Sequence, residues 1–156
     1  MRPPWSALRL PTPAQGFVHA GGDAFESVDP ATGEVVASLS ASSLHDVDAA
    51  VSAAAQAFRS SSWASSGEVR ARTLYGFAQS LRANEDRLAE LLTREQGKTL
   101  HESFIEVRGS ARMAEYYAGM ARLVYGRSTV LGPDVTAVVL RAPVGVVGDA
   151  EAGQPV

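Results

Sequence analysis

The sequence has 156 residues, 46% of them hydrophobic and 20% charged, with 14 Lys and Arg against 17 Asp and Glu for a formal net charge of -3. That length fits one domain with an ordinary core, and the mild acidity excludes a general nucleic-acid or anionic-membrane binder. With no cysteine and three scattered histidines (His19, His45 and His101), the chain has no disulfide, thiolate metal site, thiol nucleophile or His-rich metal centre.

The start, Met1-Arg2-Pro3-Pro4-Trp5, lacks the apolar run of a signal peptide. No apolar stretch approaches the roughly 20 residues that span a bilayer, so a soluble, cytoplasmic protein is expected. Residues 1–23 read as an extended arm, because Pro3, Pro4, Pro11 and Pro13 forbid a regular helix. Residues 24–40 read as a β-hairpin. Phe25 and Val28 precede the turn Asp29-Pro30-Ala31-Thr32-Gly33, and Val35, Val36 and Leu39 follow it. Asp-Pro starts turns and Gly supplies a positive φ.

Four helices are predicted next. Ser43 with Asp46 forms a capping-box pattern for the first, whose stripe is Val47, Val51, Ala54 and Phe58. Ser65 with Glu68 caps the second, with Leu74, Phe77, Ala78 and Leu81 on one face. Asn84 caps the third, with Leu88, Leu91 and Leu92, and Gly97 sits where a left-handed C-terminal cap belongs. Thr99 with Glu102 opens the fourth, which is predicted to run to Gly126. Its stripe is Phe104, Val107, Ala111, Ala114, Ala118, Ala121 and Val124, small in the middle, so a neighbouring helix or sheet can approach closely. Beyond Gly126 the period changes to about two. Ser128–Leu131 and Val135–Leu140 read as strands around the turn Gly132-Pro133-Asp134. Val144-Gly145-Val146-Val147-Gly148 suits a strand buried on both faces. Residues 149–156 are a polar, small-residue tail without the layers such a strand needs.

Candidate chemistry is thin. Asp46 and Asp48 lie in a first helical turn, and Glu102 and Glu106 are one turn apart. Both pairs read as capping or solvated residues rather than acid/base pairs. Lys98 is the sole lysine. A lone lysine can hold phosphate or form a Schiff base, but no G-x-x-x-x-G-K precedes it. The plainer reading places it beside the last carbonyls of a helix. His45 and His101 have no second ligand at metal spacing. Met113, Tyr116, Tyr117 and Met120 sit at helical spacing and read as core or interface. Gly145 and Gly148 do not form G-x-G-x-x-G, so they are a weak cofactor signal.

Together these motifs resemble the N-terminal part of the NAD(P)-dependent aldehyde dehydrogenase superfamily, from about Phe25 to Gly148. Asp29-Pro30-Ala31-Thr32-Gly33-Glu34 is similar to the family's N-P-x-T-G-E turn. Asp46–Val51 and Ala54–Phe58 resemble its first helix, and Trp63, Arg72 and Leu74 its W…R-x-x-L pattern. Glu95-Gln96-Gly97-Lys98 resembles its E-x-G-K step, Glu106-Val107 the following E-V pair, and Tyr116-Tyr117-Ala118-Gly119 its Y-Y-A-G. Arg141–Gly148 resembles the R-x-P-x-G-V-V-G that opens its dinucleotide-binding fold.

The resemblance implies an α/β fold: a β-hairpin, four helices, oligomerisation-type strands and the first strand of an incomplete Rossmann-like domain over residues 24–148, with a non-family tail at 149–156. Family members oxidise an aldehyde to an acid. A cysteine thiolate attacks the carbonyl, hydride passes to NAD or NADP, and a glutamate activates water. An asparagine in P-W-N, just after the G-V-V-G strand, donates to the oxyanion. Here residues after Gly148 read Asp149-Ala150-Glu151-Ala152 instead. No catalytic, cofactor-binding or metal residue is therefore carried onto any position. Glu95 matches an acidic position near a monovalent-cation site in some members, and it is assigned no metal role. The resemblance implies a truncated or frameshifted member that binds no NAD or NADP and is inactive alone. The alternative is a non-enzymatic module, forming a homo-oligomer or pairing with a full-length homologue through the strands around Ser128–Leu140. Neither nucleic acid nor membrane is an expected partner.

Overall fold

In a computed structural model the described residues are 22–148, together with the backbone of 11–12 and 16–17. The short strands β1 (Pro11–Thr12) and β2 (Gly16–Phe17) pair antiparallel. The rest of the predicted arm up to residue 21, and the tail at 149–156, lie outside the described residues.

The first predicted hairpin is present as β3 (Ala24–Val28) and β4 (Val35–Ser40), antiparallel with Ala24 opposite Ser40 and a register shift at Ser27/Val28. Backbone bonds between Gly22 and Ala41 and between Ala41 and Asp23 extend the ladder. The turn is built by its own residues. The Asp29 carboxylate accepts from the Ala31 N–H at 2.8 Å, and the Gly33 N–H donates to the Asp29 carbonyl at 2.8 Å. Gly33 takes φ 74, a left-handed value that costs a glycine nothing.

The helices are α1 (Leu44–Ser60), α2 (Gly67–Ala83), α3 (Glu85–Gln96) and α4 (Leu100–Met120). Both full capping boxes form. Ser43 Oγ accepts from the Asp46 N–H while Asp46 Oδ2 accepts from the Ser43 N–H at 2.8 Å. Thr99 and Glu102 repeat this at α4. Each such cap satisfies orphan donors and stabilises its helix by about 1 kcal/mol. The two backbone and hydroxyl donors of Thr99 hold the Glu102 carboxyl below its ordinary value.

Several expectations are corrected. The cap of α2 is Ser66, whose Oγ accepts from the Val69 N–H at 3.2 Å, and Ser65 faces back to the Ser62 carbonyl. Asn84 stands at the start of α3 without capping it; its side-chain amide donates to the Ser80 carbonyl of the preceding helix. Helix α4 stops at Met120 rather than Gly126. Phe77 points outward, so the buried face of α2 is Ala71 and Ala78.

α4 packs on both α2 and α3. The seam is made of small residues: Ala71 and Ala78 from α2, Ala89 from α3, and Ser103, Val107, Ala111, Ala114 and Ala118 from α4. The buried Ser103 hydroxyl is satisfied by Thr93 Oγ1 at 2.8 Å. Outside the seam, Arg82 of α2 grips Glu115 of α4 with bonds of 2.8–3.1 Å, and Arg108 of α4 reaches Glu85 of α3. The first pair raises the Arg82 pKa and lowers that of Glu115, the hydrogen bond being the main cause in each case. These exposed pairs orient the helices and add little stability. Among the described residues no Leu, Ile, Met, Phe, Tyr or Trp is buried.

β5 (Arg127–Gly132) and β6 (Val135–Val139) form the second predicted hairpin, with Arg127 opposite Val139. The run 144–148 belongs to no sheet. Its sequence pattern predicts a strand buried on both faces; instead Val144 is 93% exposed and Gly145 has φ 108. A buried strand needs partner strands, and no described segment pairs with this one.

Candidate functional site

The place where the sequence motifs meet is the junction between α3 and α4. Gly97 ends α3 in the left-handed region, at φ 70 and ψ 6, with its N–H on the Thr93 carbonyl at 2.8 Å. Thr99 opens α4 two residues later. The Glu95-Gln96-Gly97-Lys98 step is thus a tight helix–helix corner. The β3–β4 turn sits on it. A Cβ added to Gly97 would lie 2.7 Å from Pro30 Cγ, so the proline ring occupies the space a side chain would need. Ser27 Oγ lies 3.5 Å from Glu95 Oε1. Two motifs separated by more than sixty residues therefore form one clip, with Asp29 buried beneath the turn.

The Lys98 Nζ is ion-paired with Glu106 of α4. Glu102 is spent on the cap and Glu106 on the lysine, so the two do not form an acid/base pair. His45 and His101 stand in the first turns of different helices. No cluster of three or more His, Cys, Asp or Glu able to hold a metal occurs among the described residues. Sequence reasoning missed Arg70, which donates to the Trp63 and Ala64 carbonyls at 2.6 and 3.2 Å and to the Ala121 carbonyl at 3.4 Å. It ties the α1–α2 connection to the end of α4. A lone arginine on a polar helix face carries no sequence signal for that role.

A dinucleotide places its pyrophosphate on free N–H groups at a helix start. At the starts of α1, α2 and α4 one backbone N–H each, that of Asp46, Val69 and Glu102, is engaged by Ser43, Ser66 and Thr99. Gly145 and Gly148 lead into no described helix. The depression lined by Arg87, Glu90, Leu91 and Arg94 holds about 20 Å³, space for a single water. No described helix is long and apolar enough to cross a membrane.

What remains is a corner clip on an alanine-seamed helix layer, flanked by two hairpins. A profile of the aldehyde dehydrogenase family matches residues 17–149, which is most of the chain. The chain belongs to the aldehyde dehydrogenase family. It is 37% identical over 129 residues to aldehyde dehydrogenase 1 of Tanacetum cinerariifolium, covering 81% of this chain and 26% of that protein. It is 40% identical over 134 residues to the malonate-semialdehyde dehydrogenase of Listeria monocytogenes, covering 85% and 27%. In three dimensions it resembles the NAD-dependent aldehyde dehydrogenase of Sinorhizobium meliloti, with a TM-score of 0.76 at 34% identity over 82% of this chain and 26% of that one. These 156 residues therefore span about a quarter of the length of the aldehyde dehydrogenases they match. The match corresponds to an N-terminal portion of the family, and its α/β architecture of helices and small sheets matches that part of the solved structures.

Proposed function

We propose that this chain is the N-terminal segment of an NAD(P)-dependent aldehyde dehydrogenase, and that it serves the oxidation of an aldehyde to a carboxylic acid as scaffold rather than as chemist. The observation that carries this reading is a family match over residues 17–149 in a sequence without a cysteine. The family's thiolate nucleophile belongs to the three quarters of the fold that these residues do not span. When NAD or NADP is bound there, it accepts the hydride. The role of the present residues is positional. The Pro30–Gly97 clip fixes the first hairpin on the α3–α4 corner, and the alanine seam holds α2, α3 and α4 as one layer. On this reading residues 144–148 open the cofactor-binding domain and become a paired strand only when their neighbours are supplied. Cytoplasmic residence fits the lack of any described membrane-crossing helix.

The test is a chimera. Residues 17–149 replace the matching segment of the Listeria monocytogenes relative, and aldehyde-dependent NADH formation is followed. A folded, active chimera is expected. A chimera that melts cooperatively but makes no NADH would contradict the reading.

A second reading is favoured by one feature. The β5–β6 hairpin leaves Val130, Leu131 and Val138 exposed and its outer backbone edges unpaired among the described residues. Such an edge accepts a further strand, so the chain would act without chemistry by pairing with a full-length homologue. Co-purification of a tagged chain with that homologue is then expected, lost on Val138→Pro. Unchanged pairing by Val138→Pro would count against it.

A further inference from the structure

Of the 14 Lys and Arg residues only Lys98 is lysine, and the chain has no cysteine. Amines and thiols are the side chains that add most readily to a carbonyl carbon near neutral pH. An amine gives an imine and water, and a thiolate gives a hemithioacetal. A guanidinium gives neither with a simple aldehyde, because it stays protonated and its nitrogen electrons are delocalised. The cations that link these helices are guanidinium groups. Arg82 holds Glu115 and Arg108 holds Glu85, contacts that an ammonium could also make. Lys98 is the exception. Its Nζ is ion-paired with Glu106, and its side chain is 25% exposed, against 72% for Arg72 on α2.

We propose that these residues withstand the aldehyde their family oxidises, with Lys98 as the single side-chain amine open to capture and Glu106 as its guard. The inference rests on the function proposed above, since the advantage exists only where aldehyde is present. In the capture step Nζ gives up a proton to solvent and its freed electron pair attacks the carbonyl carbon. The carbinolamine then loses water and leaves an imine on Lys98. Attack requires that electron pair to face the aldehyde. In the ion pair Nζ directs its N–H groups at Glu106 instead, so the contact must break first. Arginine elsewhere supplies the same positive charge without a capturable amine.

The test incubates the 156-residue chain with propanal and cyanoborohydride, which reduces each imine to a propylated amine. Nα-acetyl-lysine in the same tube is the reference, and peptide mass mapping reads the rate at Lys98. Trapping about fivefold slower than the reference is expected, and Glu106→Gln should raise it about threefold, in keeping with a half-exposed ion pair. Arg59→Lys, at an exposed position of α1, should be trapped as fast as the reference. A wild-type Lys98 rate equal to the reference would overturn the proposal, whether or not either variant folds. So would an unchanged Lys98 rate in a folded Glu106→Gln chain. A folded Arg59→Lys chain without an adduct at residue 59 would overturn it too, because arginine there would then confer no resistance. Trapping is read without NADH. An active chimera whose Lys98 is trapped freely fails only this proposal, and an inactive chimera with a guarded Lys98 fails only the proposed activity.

Discussion

Ala78→Leu lowers the stability of this chain by about 3 kcal/mol, while truncating its large neighbour, Phe77→Ala, costs less than about 1 kcal/mol. The order is opposite to what residue size suggests. Ala78 is fully buried in the α2–α4 seam, whereas Phe77 is 55% exposed. Three extra heavy atoms at Ala78 have no space unless α2 and α4 separate, and separation breaks the contacts of Ala71, Ala114 and Ala118 as well. Truncating Phe77 removes apolar area that water already reaches. Thermal melts resolve the difference, because 3 kcal/mol shifts the midpoint of a domain this size by roughly 10 °C. A larger loss for Phe77→Ala than for Ala78→Leu would show that the seam is not where the helices are held.

The second large effect is at the corner clip. Gly97→Val combines two penalties. A β-branched residue at φ 70 costs about 1–2 kcal/mol, and its Cβ would meet Pro30 Cγ at 2.7 Å. A total of about 2–3 kcal/mol is expected. Gly33 separates the two terms. It has φ 74 but nothing within 4 Å of an added Cβ, so Gly33→Ala carries the conformational cost alone. In a Pro30→Ala background the cost of Gly97→Ala should fall by about 1 kcal/mol, measured by denaturant titration of the four proteins. An unchanged cost would mean that the turn does not rest on the corner.

The parts of this fold that were legible in the sequence are those fixed by neighbours in the chain. Ser43 with Asp46 and Thr99 with Glu102 formed the boxes their spacing announced, since a cap needs only the next three residues. Gly97 took the left-handed cap, and both hairpins closed on their turn residues. Adjacent serines blurred one boundary: Ser65 and Ser66 are equally suited to cap α2, and the preceding turn chose Ser66.

The end of α4 was misplaced for a tertiary reason. Ala121 and Val124 continue the apolar period, but the Ala121 carbonyl faces Arg70 and an added Cβ on Gly67 would lie 2.5 Å from it. That carbonyl is not free to continue the helical ladder, and the Tyr125 N–H turns to Leu123 instead. Phe77 and the exposed Tyr116 of α4 show a second limit. Periodicity reports that a helix has apolar faces but not which of two is closed within the chain. The Pro30–Gly97 clip shows a third, because nothing in either motif names the other. Family resemblance compensates for that limit by recognising both motifs in order. It cannot supply the partner strands for residues 144–148.

On the proposed reading these residues carry structure for aldehyde oxidation without its chemistry. The direct measurement is absorbance at 340 nm with the purified 156-residue chain, an aldehyde, and NAD or NADP. No NADH or NADPH above the rate without protein is expected. Aldehyde-dependent formation that scales with the chain's concentration, and survives a mock purification from the same host, would contradict it.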